Sequence, residues 1–339
     1  MTIATSNHDF LAGIWFFLES LFLVFYVVLD GFDLGVGILT LFGREHANRM
    51  VMMNSLGTIW DANESWLVVL GGTLFGAFPL VYALVLRALY LPAIAMLFGF
   101  VFRGVAFEYR ELAHDKARWL WSFGLGSLLV ALSQGYILGG ILQGMPVHHG
   151  HFTGGLFDWF GGFSTLVMLG VVTGYVVIGA TYLIIKSESH VAETFYPFAR
   201  YGARLLLLLA VAITIMTAVR FDWAARSWFR WPAIVGYAAL PAIALAAFWR
   251  LFRALRAHRT LSPFVWTLVI FVSSFLGLGI TIYPYAIPDT VTVYQGASGS
   301  STLIFMLAVV GFFIPIMIVY NSYLYFAFRG KTSKAGYEA

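Results

Sequence analysis

Apolar residues run through this 339-residue chain in long, nearly unbroken stretches. They lack the short alternation of half-buried strands and the one-sided stripe of surface helices. A helix crossing a bilayer needs about 20 mostly apolar residues. Nine stretches meet that length: 11–42, 52–77, 79–107, 119–142, 157–185, 199–219, 232–251, 262–286 and 302–328. The second is the least uniform, because Asp61, Asn63 and Glu64 interrupt it; without it there are eight. The pattern predicts an all-α integral membrane protein, one membrane domain over 1–339. The longest connections, around 143–157 and 287–301, are rich in Gly and Ser and carry no Lys or Arg.

Positive charge decides between eight spans and nine. With nine, 16 of the 20 Lys and Arg fall on one side, and Arg87, Arg220, Arg226 and Arg230 on the other. Dropping the second span moves Arg44 and Arg49 across and weakens the split to 14 against 6. Because Lys and Arg mark cytoplasmic loops, nine spans are expected, with the N-terminus outside and the C-terminus in the cytoplasm. The opening MTIATSNHDF has no basic n-region, so the first span is expected to stay uncleaved. Gly pairs four apart recur at Gly31/Gly35, Gly72/Gly76, Gly135/Gly139 and Gly170/Gly174. Such steps let helix backbones approach closely.

Composition narrows the chemistry. At 60% hydrophobic and 11% charged, with a net charge of +4, the chain excludes a soluble enzyme, a disordered segment and a nucleic-acid binder. The absence of cysteine removes disulfides, thiolate metal sites, iron–sulfur clusters and Cys nucleophiles. The eight histidines (8, 46, 114, 148, 149, 151, 190 and 258) all fall in loops or at span ends. A membrane cytochrome needs an axial ligand, usually His, inside the bundle. Met96 or Met168 alone would be an unusual sole ligand, so any haem is expected on another chain. His148, His149 and His151 cluster in an outer loop; a solvated polar loop is the simpler reading than a metal site, and no metal is expected.

The acids inside the spans carry the functional signal, since intramembrane carboxylates are costly and usually functional. Asp30 and Asp33 lie three apart on one face of the first span, and Glu19 lies about three turns earlier near the same stripe. The second span presents Trp60, Asp61, Asn63, Glu64, Ser65 and Trp66, with Asp61 and Glu64 again three apart. Such a file on the cytoplasmic side suits proton entry: Asp61, Glu64, Asp30 and Asp33 as proton path, with Trp60, Asn63 and Ser65 in support. The plainer alternative is that the acids are ion-paired to hold the bundle, with Arg103, Glu108 and Arg110 as available partners. The role of Glu19 stays open.

Several segments resemble subunit II of the cytochrome bd-type quinol oxidases, the CydB family. They are LDGFDLGVG at 29–37, MNSLGTIWDANESWLV at 53–68, GGTLFGAFPLVYA at 71–83, FRGVAFEYR at 102–110, LQGMPV at 142–147, GATYL at 179–183 and YPYAIP at 283–288. The resemblance is weakest across 190–260. It implies two four-helix bundles plus one peripheral helix: bundle one about 11–142, bundle two with the extra helix about 157–328. It also implies a haem-bearing subunit I as partner, carrying two b-type haems and haem d, and in some members a structural quinone or small single-helix subunits. The complex would oxidise ubiquinol or menaquinol and reduce O2 to water in the bacterial inner membrane. It would draw chemical protons from the cytoplasm without pumping. The aspartate of the WD motif, Asp61, carries over as a path residue, with Asp30 and Asp33 from the DGFD motif.

Two other readings compete. A proton-coupled secondary transporter would also place acids near the midplane, in broken helices of matching halves; here the acids crowd into the first two spans. A passive scaffold would use its acids for ion pairing alone.

Overall fold

The computed structural model describes every residue except Met1, Arg44, Thr58, Glu111, Asp115, Arg230, Pro232, Lys334, Ala335, Glu338 and Ala339. Three cations used above to orient the chain, Arg44, Arg230 and Lys334, lie outside the described residues. The helices are α1 (Thr2–Thr40), α2 (His46–Asn54), α3 (Ile59–Ala77), α4 (Pro79–Ala88), α5 (Tyr90–Arg110), α6 (Lys116–Leu142), α7 (Gly162–Lys186), α8 (Ser189–Ala192), α9 (Phe195–Arg220), α10 (Asp222–Trp228), α11 (Ala233–Arg256), α12 (Leu261–Ile282), α13 (Val293–Gly296) and α14 (Ser300–Ala327). Eight are long and apolar enough to cross a membrane, and the bent pair α3–α4 makes a ninth if it is one span. The chain is thus all-helical and multi-pass, apart from three small antiparallel hairpins: β1–β2, β3–β4 and β5–β6 (Val147–His148 with His151–Phe152, Tyr285–Ile287 with Val291–Thr292, Thr332–Ser333 with Gly336–Tyr337).

Two boundaries differ from the hydropathy pattern. The stretch 52–77 breaks at Gly57, whose φ of 49° ends α2 and lets α3 begin at Ile59. The stretch 79–107 is two helices. Pro79 disfavours helical geometry at Phe78, which sits at φ −131° and ψ 60°, and α4 leaves α3 at 118°. Pro92 then has no N–H for the Ala88 carbonyl, so α4 stops and α5 starts.

α1 is the central strut, packing against α7, α3 and α6 and touching α12 and α14. α5 pairs with α6, α7 with α9, α11 with α12, and α14 lies along α3. The α1–α7 crossing is backbone on backbone: a Cβ on Gly179 would meet the Gly35 carbonyl carbon at 2.5 Å. Large apolar side chains cover the outward faces, Val68, Phe305 and Val319 among them. On a multi-pass membrane protein these face lipid or a partner.

Candidate functional site: a buried arginine–carboxyl cluster

Side chains from α1, α3 and α5 meet in a buried charge cluster. Arg103 projects from α5 with no solvent exposure. Its Nη1 lies 2.6 Å from Asp30 Oδ1 and 3.9 Å from Glu64 Oε2, and its Nη2 lies 3.5 Å from Asp33 Oδ2. Asp30 and Asp33 are also fully buried, whereas the Glu64 side chain keeps 25% exposure. The three-residue step in α1 puts both aspartates on the face turned to α5. Asn63 joins them from α3: its Nδ2 donates to Asp33 Oδ2 at 2.9 Å and to the Leu29 carbonyl at 3.3 Å. The Tyr325 hydroxyl, from α14, donates to Asn63 Oδ1 at 2.8 Å.

A second chain of polar groups reaches Asp30 from above. The Tyr26 hydroxyl, one turn earlier on α1, lies beside Asp30. Gln134 Nε2 on α6 donates to Tyr26, and the Tyr175 hydroxyl on α7 donates to Gln134 Oε1 at 2.6 Å. Neither Asp30 oxygen receives a well-directed hydrogen bond, and Asp33 Oδ1 and Arg103 Nε and Nη1 are likewise buried without one. The cluster is held by charge more than by aligned hydrogen bonds.

The sequence-predicted residues separate into distinct places. Asp30, Asp33, Glu64, Asn63 and Arg103 come together. Asp61 does not join them; it is exposed on the other side of α3. A two-residue step turns a helix by about 200°, so Asn63 and Asp61 point opposite ways and Glu64 stands at the margin between them. Ser65 Oγ donates to the Asp61 carbonyl at 2.9 Å, and Trp60 stacks on Phe107 at 4.9 Å between ring centres. Arg103 is an ion-pair partner of the acids, Arg110 donates to Asn54 Oδ1 at 2.8 Å, and Glu108 is exposed. Glu19 is buried in the other half of α1, beside Thr73, and its oxygens have no well-aligned partner. Reading by acids alone missed Tyr26, Gln134, Tyr175 and Tyr325. Gln134 was the accessible signal, a lone amide in the apolar run LLVALSQGYIL of α6.

The histidine loop is a hairpin. His148 pairs with His151 in register, and His149 and Gly150 have φ of 50° and 76°. Positive φ at both central residues is the mark of a type I′ turn. Among the described residues, no group of three or more His, Cys, Asp or Glu is placed to hold a metal ion.

Comparison with known proteins identifies the family. The profile of the family described as cytochrome bd terminal oxidase subunit II matches residues 11–328. Cytochrome bd-I ubiquinol oxidase subunit 2 of Escherichia coli is 27% identical, over 98% of this chain and 98% of that protein. Cytochrome bd ubiquinol oxidase subunit 2 of Bacillus subtilis is 38% identical over a shorter region, 42% of each chain. In the solved bd oxidase of Geobacillus thermodenitrificans, one chain superposes with a TM-score of 0.77 at 20% identity, covering 93% of this chain and 99% of that one. The chain belongs to the cytochrome bd terminal oxidase subunit II family.

Proposed function

We propose that this chain is the haem-free subunit of a bd-type quinol oxidase in the bacterial inner membrane, where it braces a haem-bearing subunit I and handles cytoplasmic protons for O2 reduction. Family membership supports the enzyme class. The E. coli and B. subtilis relatives are named as ubiquinol oxidase subunits, which supports a quinol as reductant. The N-outside, C-inside orientation rests on the Lys and Arg distribution, and the two-bundle arrangement on the resemblance to the family.

The observation that carries the proton reading is one guanidinium facing three carboxyls inside apolar helices. The set carries a formal charge of −2 when every carboxyl is ionised, and it is balanced when it holds two protons. An unbalanced charge away from water is costly, so such a cluster takes up and releases protons as its surroundings demand. A single ion pair built only for stability needs one acid, not three. The histidines support the haem-free assignment. His8 contacts the Ser298 carbonyl near the start of α1, His258 sits at an exposed corner between Arg200 and Glu193, and the trio occupies the hairpin.

Asp61 has a different place in this reading. It lies on an exposed α3 face with Val68, Gly72 and Phe75. Asp61 lies in the first turn of α3, and a carboxylate facing lipid is costly, which favours burial of that face against subunit I. Asp61 then borders both the cytoplasm and the subunit contact, the position a proton lane toward the partner requires. In the purified two-subunit complex, Asp61→Asn is expected to lower O2 consumption while haem bands and haem reduction by quinol stay intact. Unchanged turnover would remove Asp61 from the proton lane, and a colourless, monodisperse single chain isolated from the native membrane would sink the oxidase reading.

A further inference from the structure

We propose that the Asp30–Asp33–Glu64–Arg103 cluster is a closed proton store with a single mouth at Glu64, sealed from the outer half of the membrane by an aromatic layer of Phe22, Phe25 and Trp66. This rests on the proton-handling reading above and defines what the buried acids do within it.

The polar connections of the cluster end in amides on both sides. Between Asp33 and Tyr325 stands Asn63, and between Tyr26 and Tyr175 stands Gln134. A neutral carboxamide carries hydrogen bonds but has no titratable group that can accept a proton and release it at modest cost. Both branches therefore hold the carboxyls in place and pass no protons. Asp30, Asp33 and Arg103 have no solvent exposure, and Glu64 alone among the four reaches the surface. Glu64 stands one turn from Asp61 on α3, so the mouth opens beside the lane.

The outer side is closed differently. Positions 19, 22, 26, 30 and 33 follow the three- and four-residue steps of one helix face. Along it the residues read Glu19, Phe22, Tyr26, Asp30 and Asp33. Glu19 and Asp30 are about 16 Å apart along the axis, eleven residues at 1.5 Å. In that gap Trp66 of α3 packs 4.7 Å from Phe25 and 6.2 Å from Phe22 between ring centres. Phe22 and Trp66 are both buried, forming an aromatic layer across that gap. Inside the store, Arg103 engages Asp30 Oδ1 and Asp33 Oδ2, whereas Asp33 Oδ1 is fully buried with no hydrogen-bond donor aimed at it. Asp33 Oδ1 is free to carry a proton.

A store and a through-route differ in a measurable way. The reduced two-subunit complex is mixed with O2, and the rapid phase of proton uptake is followed with a pH-indicator dye. Asp33→Asn leaves one guanidinium against two carboxyls, so the store falls from two protons to one and the amplitude should drop by about half with its rate constant unchanged. Glu64→Gln, at the partly exposed edge, should remove the store's amplitude, and it serves alone if Asp33→Asn does not assemble. Full amplitude at a slowed rate in these variants would make the cluster a through-route and overturn the store. Unchanged amplitude and rate would also overturn it; Asp61→Asn then decides the wider reading, which falls if turnover is normal and stands if turnover is slowed. For the seal, vesicles holding the complex without quinol should become leakier to protons with Trp66→Ala, or with Phe25→Ala if the first does not assemble. The leak should fall again when Glu19→Gln is added. An assembled variant with unchanged permeability would refute the seal.

Discussion

Arg103 can be tested as the group that holds the cluster together. At an effective dielectric near 20, two unit charges attract by about 332/(20r) kcal/mol. The 2.6 Å contact to Asp30 then gives about 6 kcal/mol and the 3.5 Å contact to Asp33 about 5 kcal/mol. The 3.9 Å contact to Glu64 is weakened by that residue's exposure. Burial of each ion takes back several kcal/mol. Breaking a buried pair from one side costs about 3–5 kcal/mol, because the stranded charges lose their partner. Arg103→Leu is therefore expected to destabilise the assembled complex by that amount. Asp30→Asn in the same background removes one stranded carboxyl and should return a measurable share of the loss. The assay is thermal unfolding of the detergent-solubilised complex, followed by size-exclusion recovery and by haem absorbance. A double variant no more stable than Arg103→Leu alone would refute the charge argument, as would an Arg103→Leu complex that unfolds with the unmodified one.

Other positions give independent checks. Lys186 Nζ donates to the Phe328 and Gly330 carbonyls, closing the C-terminal end of α14. Lys186→Met should cost about 1–3 kcal/mol and speed proteolysis after Lys331. Gly35→Ala should stop assembly, because its Cβ would strike the Tyr175 carbonyl, while Gly311→Ala in open space should assemble normally. Tyr325→Phe removes the donor to Asn63 and should lower stability by about 1 kcal/mol, read in the same unfolding assay.

Helix count and acid content were legible because long apolar runs and rare charges are strong signals. Asp30, Asp33 and Glu64 stood out for that reason, and Arg103 stood out among the few cations near a span end. The exposure of Asp61 was not legible from charge spacing. Asp61 and Glu64 share a neighbourhood on α3, yet which flank is buried depends on where α1 and α5 pack. The burial of Asn63 settles that, and only a tertiary contact shows it. The α3–α4 bend falls at Phe78-Pro79, where the apolar stretches 52–77 and 79–107 already divide, whereas the α4–α5 break before Pro92 was masked by hydropathy, which averages over a proline. Gln134 and Tyr325 went unread because neither carries a charge to mark it within an apolar helix. Their partners lie 108 and 262 residues away in sequence.

The segment 29–37 shows how tightly the site and the fold share residues. Asp30 and Asp33 hold Arg103. Between them, Gly31 leaves room for the Tyr175 ring, since a Cβ there would come within 2.9 Å of Tyr175 Cε1. Phe32 turns the other way and stacks on Tyr182 at 4.2 Å. Gly35 lets the Tyr175 backbone touch α1, and Gly37 admits Ser127 of α6. Tyr175 is thus set twice by α1, once through its ring and once through its carbonyl, and its hydroxyl holds Gln134 against Tyr26. Sliding α7 by one residue along α1 would lose the backbone crossing and the Gln134 link together. Gly31→Ala should therefore act at a distance: the displaced Tyr175 ring releases Gln134, and the groups around Asp30 lose their fixed neighbours while no charge is altered. Tyr175→Phe separates the two effects, because it keeps the ring and the crossing but removes the hydroxyl donor. If Gly31→Ala perturbs rapid proton uptake and Tyr175→Phe leaves it intact, backbone spacing sets the cluster; if both perturb it alike, the Tyr175–Gln134 hydrogen bond does.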